Sequence, residues 1–438
     1  MTVSARLRVP YATRFARAWP DGPPPDILPA ASAQRRFFLI REVTSRRLVV
    51  PLSLTLRPGT LDADTVRTAL GRVVERHAAL RCQVDERHGV IVQVGRPEAP
   101  CPVDEVGAAD EHQRAEAVRT AVARAERSDS GPVGARLIRG TDADRLLFVF
   151  DHAVVDETSL LIFLPEFAAA VDGQPRPGPP PARWDEYRDA VWRHVDAELA
   201  AATPDRLGYW VDRLRPLAAR DTDGTGHRPP GTPHTGSNVV AVDAVAVAPS
   251  LRPTLFPRLL AALHGALRDA GHPGPTSVGY AWGGRGAGAE HLMGCFMNTT
   301  ISVDGSDPAA DPAAAWPPFL TRFWSDVEHA ETPFDEVVLA VGAATRTGWS
   351  GNPDALLAFE DVAHRPVLRI RDAVAAEWLP PWLSPKAALG ATAQFDGAVV
   401  RPRLAYDPGR VPRSYAIETA AAWRRRLHQV LPPEGKGS

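Results

Sequence analysis

Lysine is almost missing from this chain: it occurs only at Lys386 and Lys436, so arginine carries nearly all the positive charge. The formal net charge is −2. A phosphate-binding partner normally leaves a clear basic excess, so this balance argues against nucleic acid. The three cysteines, Cys82, Cys101 and Cys295, are odd in number and widely spaced. They form no Cys-x-x-Cys pair, which argues against a disulfide framework and a zinc site and fits a reducing compartment. No apolar run approaches the roughly 18 residues of a membrane span. The start, "MTVSARLRVPYATRF", has no apolar core of a signal peptide. The expectation is a cytoplasmic protein without a membrane partner. A Walker loop and a G-x-S-x-G elbow are both missing, and "GGRGAG" at 283–288 is a weak phosphate-loop signal by itself. His272, His291 and His329 show no metal-ligand spacing, so no metal is expected.

What is present is an ordinary globular composition, 44% hydrophobic and 23% charged. Residues 1–26 are rich in arginine and proline and read as a loosely packed arm. Regular periodicity starts at Ile27. "LVVPLSLTLRP" (48–58) and "GVIVQVG" (89–95) read as strands. Residues 61–81 carry Val66, Leu70, Val73, Val74 and Leu80 at helical spacing, with Asp62 or Asp64 as cap. A helix is predicted over 111–127, strands at "ARLIRG" and "RLLFVFD", and a helix over 158–171 with Thr158 or Ser159 near its cap. Pro165 inside that helix should cost roughly 3 kcal/mol or kink it. A proline-rich link (173–183) leads to a mostly helical stretch (184–217) with Trp184, Tyr187, Trp192, Tyr209 and Trp210 as a packing stripe. A surface loop follows (219–237). The strand–helix rhythm then repeats, and Asp396-Gly397 marks a hairpin between two apolar runs. The fold class expected is α+β in two similar lobes. The boundaries expected are an arm at 1–26, a first lobe at 27–180, linker helices and loop at 181–237, and a second lobe at 238–438.

Within this pattern, "FVFDHAVVDETSLLIFL" (148–164) sets four ionisable residues, Asp151, His152, Asp156 and Glu157, into an otherwise apolar run. Side chains alternate across a strand, so Asp151 and His152 should point in opposite directions and not form a dyad. His152 then reads either as a general base at a cleft or as a satisfied core histidine. Asp156 reads as folded back on the local backbone or paired with a buried arginine. Cys295, in an apolar segment, reads as core.

The flanks of this stretch extend the comparison. "DHAVVDE" resembles the HHxxxDG segment of the condensation domains of nonribosomal peptide synthetases, within the wider HxxxD acyltransferase group. "LPAASAQRRFFLI" (28–40), "ERHAALRCQVDE" (75–86), "LGYWVDRLRPL" (207–217), "GYAWGGRGAGAEHLMGCFMNTTISVD" (279–304), "ETPFDEVV" (331–338) and "GNPDALLAFED" (351–361) are similar to further segments of that family, in the right order. The resemblance implies two chloramphenicol-acetyltransferase-like lobes in a V, with a tunnel between them. It also implies a phosphopantetheine arm and a small amine or alcohol acceptor; the acyl- or peptidyl-carrier protein that supplies the arm is expected on a separate chain. No intrinsic cofactor is implied. By the same resemblance His152 is the catalytic histidine and Asp156 pairs with Arg285 from the second lobe. Glu157, Asn298 and Trp282 line the tunnel. Two departures stand out: Asp151 replaces the first histidine, and Glu157 replaces the glycine beside which the donor arm passes. The reading that follows is a free-standing condensation enzyme of a bacterial specialised-metabolite pathway. The alternatives are a non-catalytic domain recruiting tailoring enzymes to a carrier-bound peptide, and an HxxxD acyltransferase using free acyl thioesters.

Overall fold

The computed structural model describes residues 10–127, 131–174, 184–222, 237–306, 312–363 and 385–432, together with 365, 367–371, 373–377 and 383. Most of the expected proline-rich link and of the loop at 219–237 lies outside the described residues, as do the first nine residues of the arm. The chain divides into two compact units. The first is Met1–Ala202 with Gly283–Asn298 and Pro366–Pro381; the second is Thr203–Trp282, Thr299–Arg365 and Trp382–Ser438. Boundaries at 180 and 238 would run straight along the chain. This division does not, because two later segments pack with the first unit.

In chain order the first stretch forms α1 (Tyr11–Ala18), β1 (Ile27–Pro29), α2 (Ser32–Thr44), β2 (Val49–Leu56), α3 (Ala63–Arg76), β3 (Cys82–Arg87), β4 (Val90–Gly95), β5 (Val103–Gly107), α4 (Glu111–Ala125), β6 (Val133–Arg139), β7 (Asp144–Asp151), α5 (Glu157–Val171) and α6 (Trp184–Ala201). The remainder forms α7 (Pro204–Thr222), β8 (Val239–Ala241), β9 (Val245–Ala246), α8 (Leu255–Asp269), β10 (Thr276–Trp282), β11 (Asn298–Asp304), α9 (Pro312–Glu328), α10 (Phe334–Thr345), β12 (Ala355–Asp361), β13 (Arg369–Ile370), β14 (Ala373–Val374), β15 (Ala376–Glu377), β16 (Leu389–Phe395), β17 (Val399–Tyr406) and α11 (Arg413–Val430). The α+β class expected from sequence is the one observed.

The main sheet of the first unit has the order β15-β2-β7-β6-β5, with β7 antiparallel to both β2 and β6. This central strand is buried along nearly its whole length, as its unbroken apolar run requires. Phe148 and Phe150 meet Phe163 and Phe167 of α5 edge to face at ring separations of 4.8–4.9 Å. Such aromatic pairs contribute about 0.5–1.5 kcal/mol beyond the area they bury. They set α5 directly over the end of β7. Pro165 lies on the exposed side of α5 beside exposed Leu161. The carbonyl that a proline leaves without a helical donor is that of Leu161, where water can serve it. On the buried side Glu166 meets His77 at 2.9 Å in a pair that ties α5 to the end of α3.

The arm expected over residues 1–26 is not loosely packed from Tyr11 onward. Tyr11 is 1% exposed and Phe15 is also buried in the first core. The Tyr11 hydroxyl donates to the carbonyl of Ile91 at 2.8 Å and accepts from the Ala30 amide at 2.9 Å. The Arg35 guanidinium lies over its ring, 4.2 Å from the centroid. Arginine and proline content concealed a docked helix whose buried face is two aromatic residues at i and i+4. Tyr11→Phe leaves two buried backbone groups without their partner. It should destabilise the protein by about 1–3 kcal/mol, measured by thermal or urea melts. Unchanged melting would show that the hydroxyl is dispensable.

The second unit is built on a mixed sheet of order β11-β10-β12-β16-β17-β8, with β9 also paired to β17. β10, β12 and β16 run parallel, and β16 and β17 form the expected hairpin. Gly397 in its turn has φ +95°, a left-handed conformation that favours glycine. Leu259, Leu260 and Leu263 of α8 and Trp423 and Leu427 of α11 fill the core on this sheet. Among the described residues, no helix is long and apolar enough to cross a membrane.

Candidate active site

The interrupted apolar run of the sequence is the end of β7 and the turn into α5. β7 still pairs with β2 at Asp151, and the His152 amide donates to the Leu48 carbonyl at 2.9 Å. The turn then folds on itself, with the Val154 amide donating to the Asp151 carbonyl. His152 is 7% exposed. Its Nδ1 lies 3.0 Å from the carbonyl oxygen of Val155. A carbonyl only accepts, so Nδ1 carries the proton. In the neutral ring the basic lone pair therefore sits on Nε2.

Asp151 turns the other way, as alternation along a strand requires. Its Oδ1 accepts from the Ala153 amide at 2.9 Å and its Oδ2 lies 3.3 Å from Arg47. Burial pushes the Asp151 carboxyl above the usual carboxylate range, and Arg47 only partly offsets this. A raised carboxyl binds its proton more tightly folded than unfolded. The contribution of Asp151 to stability therefore falls as pH rises from the ordinary carboxylate range through its own higher value.

Asp156 caps α5, where sequence pattern suggested Thr158 or Ser159. Its Oδ1 accepts from the Ser159 amide and hydroxyl, both at 2.9 Å. Arg285 grips both carboxylate oxygens, at 2.8 and 2.9 Å, and its Nε donates to the Leu292 carbonyl. The Phe296 amide donates to Oδ2 at 3.1 Å. Ser159 Oγ further accepts from the Gly294 amide at 3.0 Å and lies 2.9 Å from its carbonyl. A side chain at Gly294 would collide with the Phe296 ring. With both oxygens saturated, Asp156 has the geometry of a structural anchor. Arg285 follows the expected pairing but not the expected placement: by chain position it lies beyond residue 238, yet its segment is part of the first unit, with Ala289, Leu292, Met293 and Phe296 in that unit's core.

Glu157 is exposed at the first helical position of α5, where the helix dipole favours an acidic group. Asn298 is buried at the start of β11, and Trp282 packs against the core of the second unit. The Cys82 thiol is buried and pushed up to about 12 by that burial, which makes it inert.

Sequence reasoning missed the groups that hold His152. Phe37 of α2 stacks on the imidazole at 4.7 Å with the ring planes 26° apart. Gln34 Nε2 donates to the Ala153 carbonyl at 2.7 Å. Both lie in "LPAASAQRRFFLI", and their i, i+3 spacing was the signal available.

The turn thus holds a buried histidine with one nitrogen pinned, next to a carboxylate–arginine anchor with both oxygens saturated. Residues 25–230 match the family model described as Condensation domain, and this part of the chain belongs to that family. CymA of Salinispora arenicola, described as a probable non-canonical nonribosomal peptide synthetase, is 30% identical over 369 residues, covering 76% of this chain and 5% of that protein. The chondramide synthase of Chondromyces crocatus is 27% identical over 353 residues, 72% of this chain and 9% of that one. The chain thus spans under a tenth of the length of these relatives. The fold matches solved structures over more than nine-tenths of the chain. The X-domain from teicoplanin biosynthesis superposes with a TM-score of 0.68 at 19% identity, covering 95% of this chain and 97% of that one. The epimerization domain from the third module of tyrocidine synthetase B gives 0.63 at 16% identity, with coverage of 92% and 96%.

Proposed function

We propose that this chain catalyses acyl transfer from a carrier-bound thioester to an amine or alcohol in bacterial specialised-metabolite biosynthesis, with His152 as the working base. The observation that carries this reading is the 3.0 Å contact of His152 Nδ1 with the Val155 carbonyl, which assigns basicity to Nε2. The acceptor nitrogen or oxygen attacks the thioester carbon while its proton passes to Nε2. The tetrahedral adduct then collapses, the C–S bond breaks, and the proton moves on to the departing phosphopantetheine thiolate. Proton-transfer help of this kind typically contributes about 10²–10⁴-fold. Orientation of the two substrates can supply about 7–11 kcal/mol more. Asp156 and Arg285 hold the turn that carries His152. Glu157, Asn298 and Trp282 are the proposed substrate contacts, with Glu157 taking the place of a glycine beside the donor arm and suited to an amine. The carrier protein and its phosphopantetheine are partner and substrate, not resident groups.

A second reading is favoured by the two departures, Asp151 and Glu157: a domain that recruits a tailoring enzyme to a carrier-bound peptide. A solved complex pairs the teicoplanin X-domain with OxyB. Incubation with acylated carrier proteins and amines, read by intact mass, separates the two. Loss of the acyl group from the carrier with matching product supports transfer. Intact acyl carrier throughout, with tight binding of a tailoring enzyme, replaces transfer by recruitment.

A further inference from the structure

The opening segment "LPAASAQRRFFLI" has no role in the reaction just outlined, yet it touches both the histidine ring and the turn that follows it. Gln34 and Phe37 are three residues apart on α2 and so share one face of the helix. Gln34 is 1% exposed, and its orientation is determined at both ends. Its Oε1 accepts from the Ala31 amide at 2.9 Å, so Nε2 is the end that donates to the Ala153 carbonyl. Phe37 covers one face of the His152 ring. The helix start is itself anchored: the Ser32 amide donates to the Glu198 carboxylate of α6 at 2.9 Å, and Arg35 donates to the Ala30 carbonyl at 2.7 Å. α2 therefore meets the 152–155 turn as a fixed surface.

We propose that Phe37, supported by Gln34, is a positioning residue that selects the Nδ1-protonated tautomer of His152. The imidazole reaches the Val155 carbonyl only with its plane held near the observed orientation. The flat Phe37 ring, 26° from that plane, restricts rotation about the Cβ–Cγ bond. Gln34 fixes the Ala153 carbonyl and with it the turn that presents Val155. Losing the ring face frees the imidazole to turn, and the proton then divides between the two nitrogens. This rests on the acyl-transfer reading for its consequence in rate, but not for its structural content.

The test is the ring nitrogen spectrum of protein labelled with ¹⁵N-histidine, recorded at slightly alkaline pH, with His152→Ala identifying the resonances. Wild type should show one protonated nitrogen, Nδ1, and one bare nitrogen, Nε2. Phe37→Leu should move both towards averaged values, and Phe37→Tyr should restore the wild-type pattern. Phe37→Met serves if the leucine variant fails to fold. With an acylated carrier substrate, Phe37→Leu should lower kcat by about ten- to a hundredfold with little change in KM, as expected for misorientation. Wild-type nitrogen shifts in Phe37→Leu, or averaged shifts in wild type, overturn the proposal. A wild-type protein without transfer activity overturns the proposed function instead, and the nitrogen spectrum still decides the role of Phe37.

Discussion

His152→Ala should cut turnover by roughly 10²–10⁴-fold while the fold survives. Under the proposed acyl transfer the ring has one basic nitrogen to offer, because Nδ1 is committed to the Val155 carbonyl. The two carboxylates that flank it in the sequence are committed elsewhere. Asp156 has both oxygens engaged, and Asp151 turns towards Arg47. The assay is transfer from an acylated carrier protein or a pantetheine surrogate, read by mass spectrometry beside thermal melts of both proteins. Equal turnover in wild type and His152→Ala would remove His152 from the chemistry. Asp151→Asn is the matched control. Burial already disfavours the ionised carboxyl, and the amide oxygen can still accept from Ala153. That variant should keep most activity and lose little stability at neutral pH.

Asp156→Ala and Arg285→Ala should each destabilise the protein by about 3–5 kcal/mol, because each leaves the opposite charge buried without its main partner. Their side chains are 9% and 4% exposed, so water does little to replace the lost bonds. Asp156→Ala also removes the cap of α5, whose loss alone costs about 0.5–2 kcal/mol. The double variant should fall well short of the sum, since either substitution already dismantles the shared network. Asp156→Asn should be milder than alanine, because an amide oxygen can still cap Ser159. Denaturant melts of the singles and the double measure the coupling. Additive losses, or unchanged melting in both singles, would show that this pair does not anchor the turn. A second consequence separates anchoring from chemistry: in whatever folded fraction remains, these variants should lose activity through the placement of His152, not through a missing proton carrier.

Much of this site was readable from residue order. The alternation of β7 placed Asp151 and His152 on opposite sides. The resemblance to condensation domains supplied Arg285 as the partner for Asp156. The hairpin at Asp396-Gly397 and the helices α3 and α4 followed from local periodicity, because local hydrogen bonding and a single buried face decide such elements. The short strands β1, β3 and β5 did not show, since a few residues carry too little pattern to separate strand from loop. The docking of α1 did not show either: two aromatics in a segment rich in arginine and proline become a buried face only when the rest of the core supplies their contacts. Tertiary structure alone decided three further matters. It placed residues 283–298 with the first unit, through Phe296 and the Arg285 grip on Asp156. It saturated the second oxygen of Asp156, the α5 cap, with Arg285 and the Phe296 amide. It brought Phe37 and Gln34 onto His152 and its turn across more than a hundred residues of chain. Sequence determines which groups are buried and which face they share; which distant groups meet them is set by packing, and no periodicity encodes that.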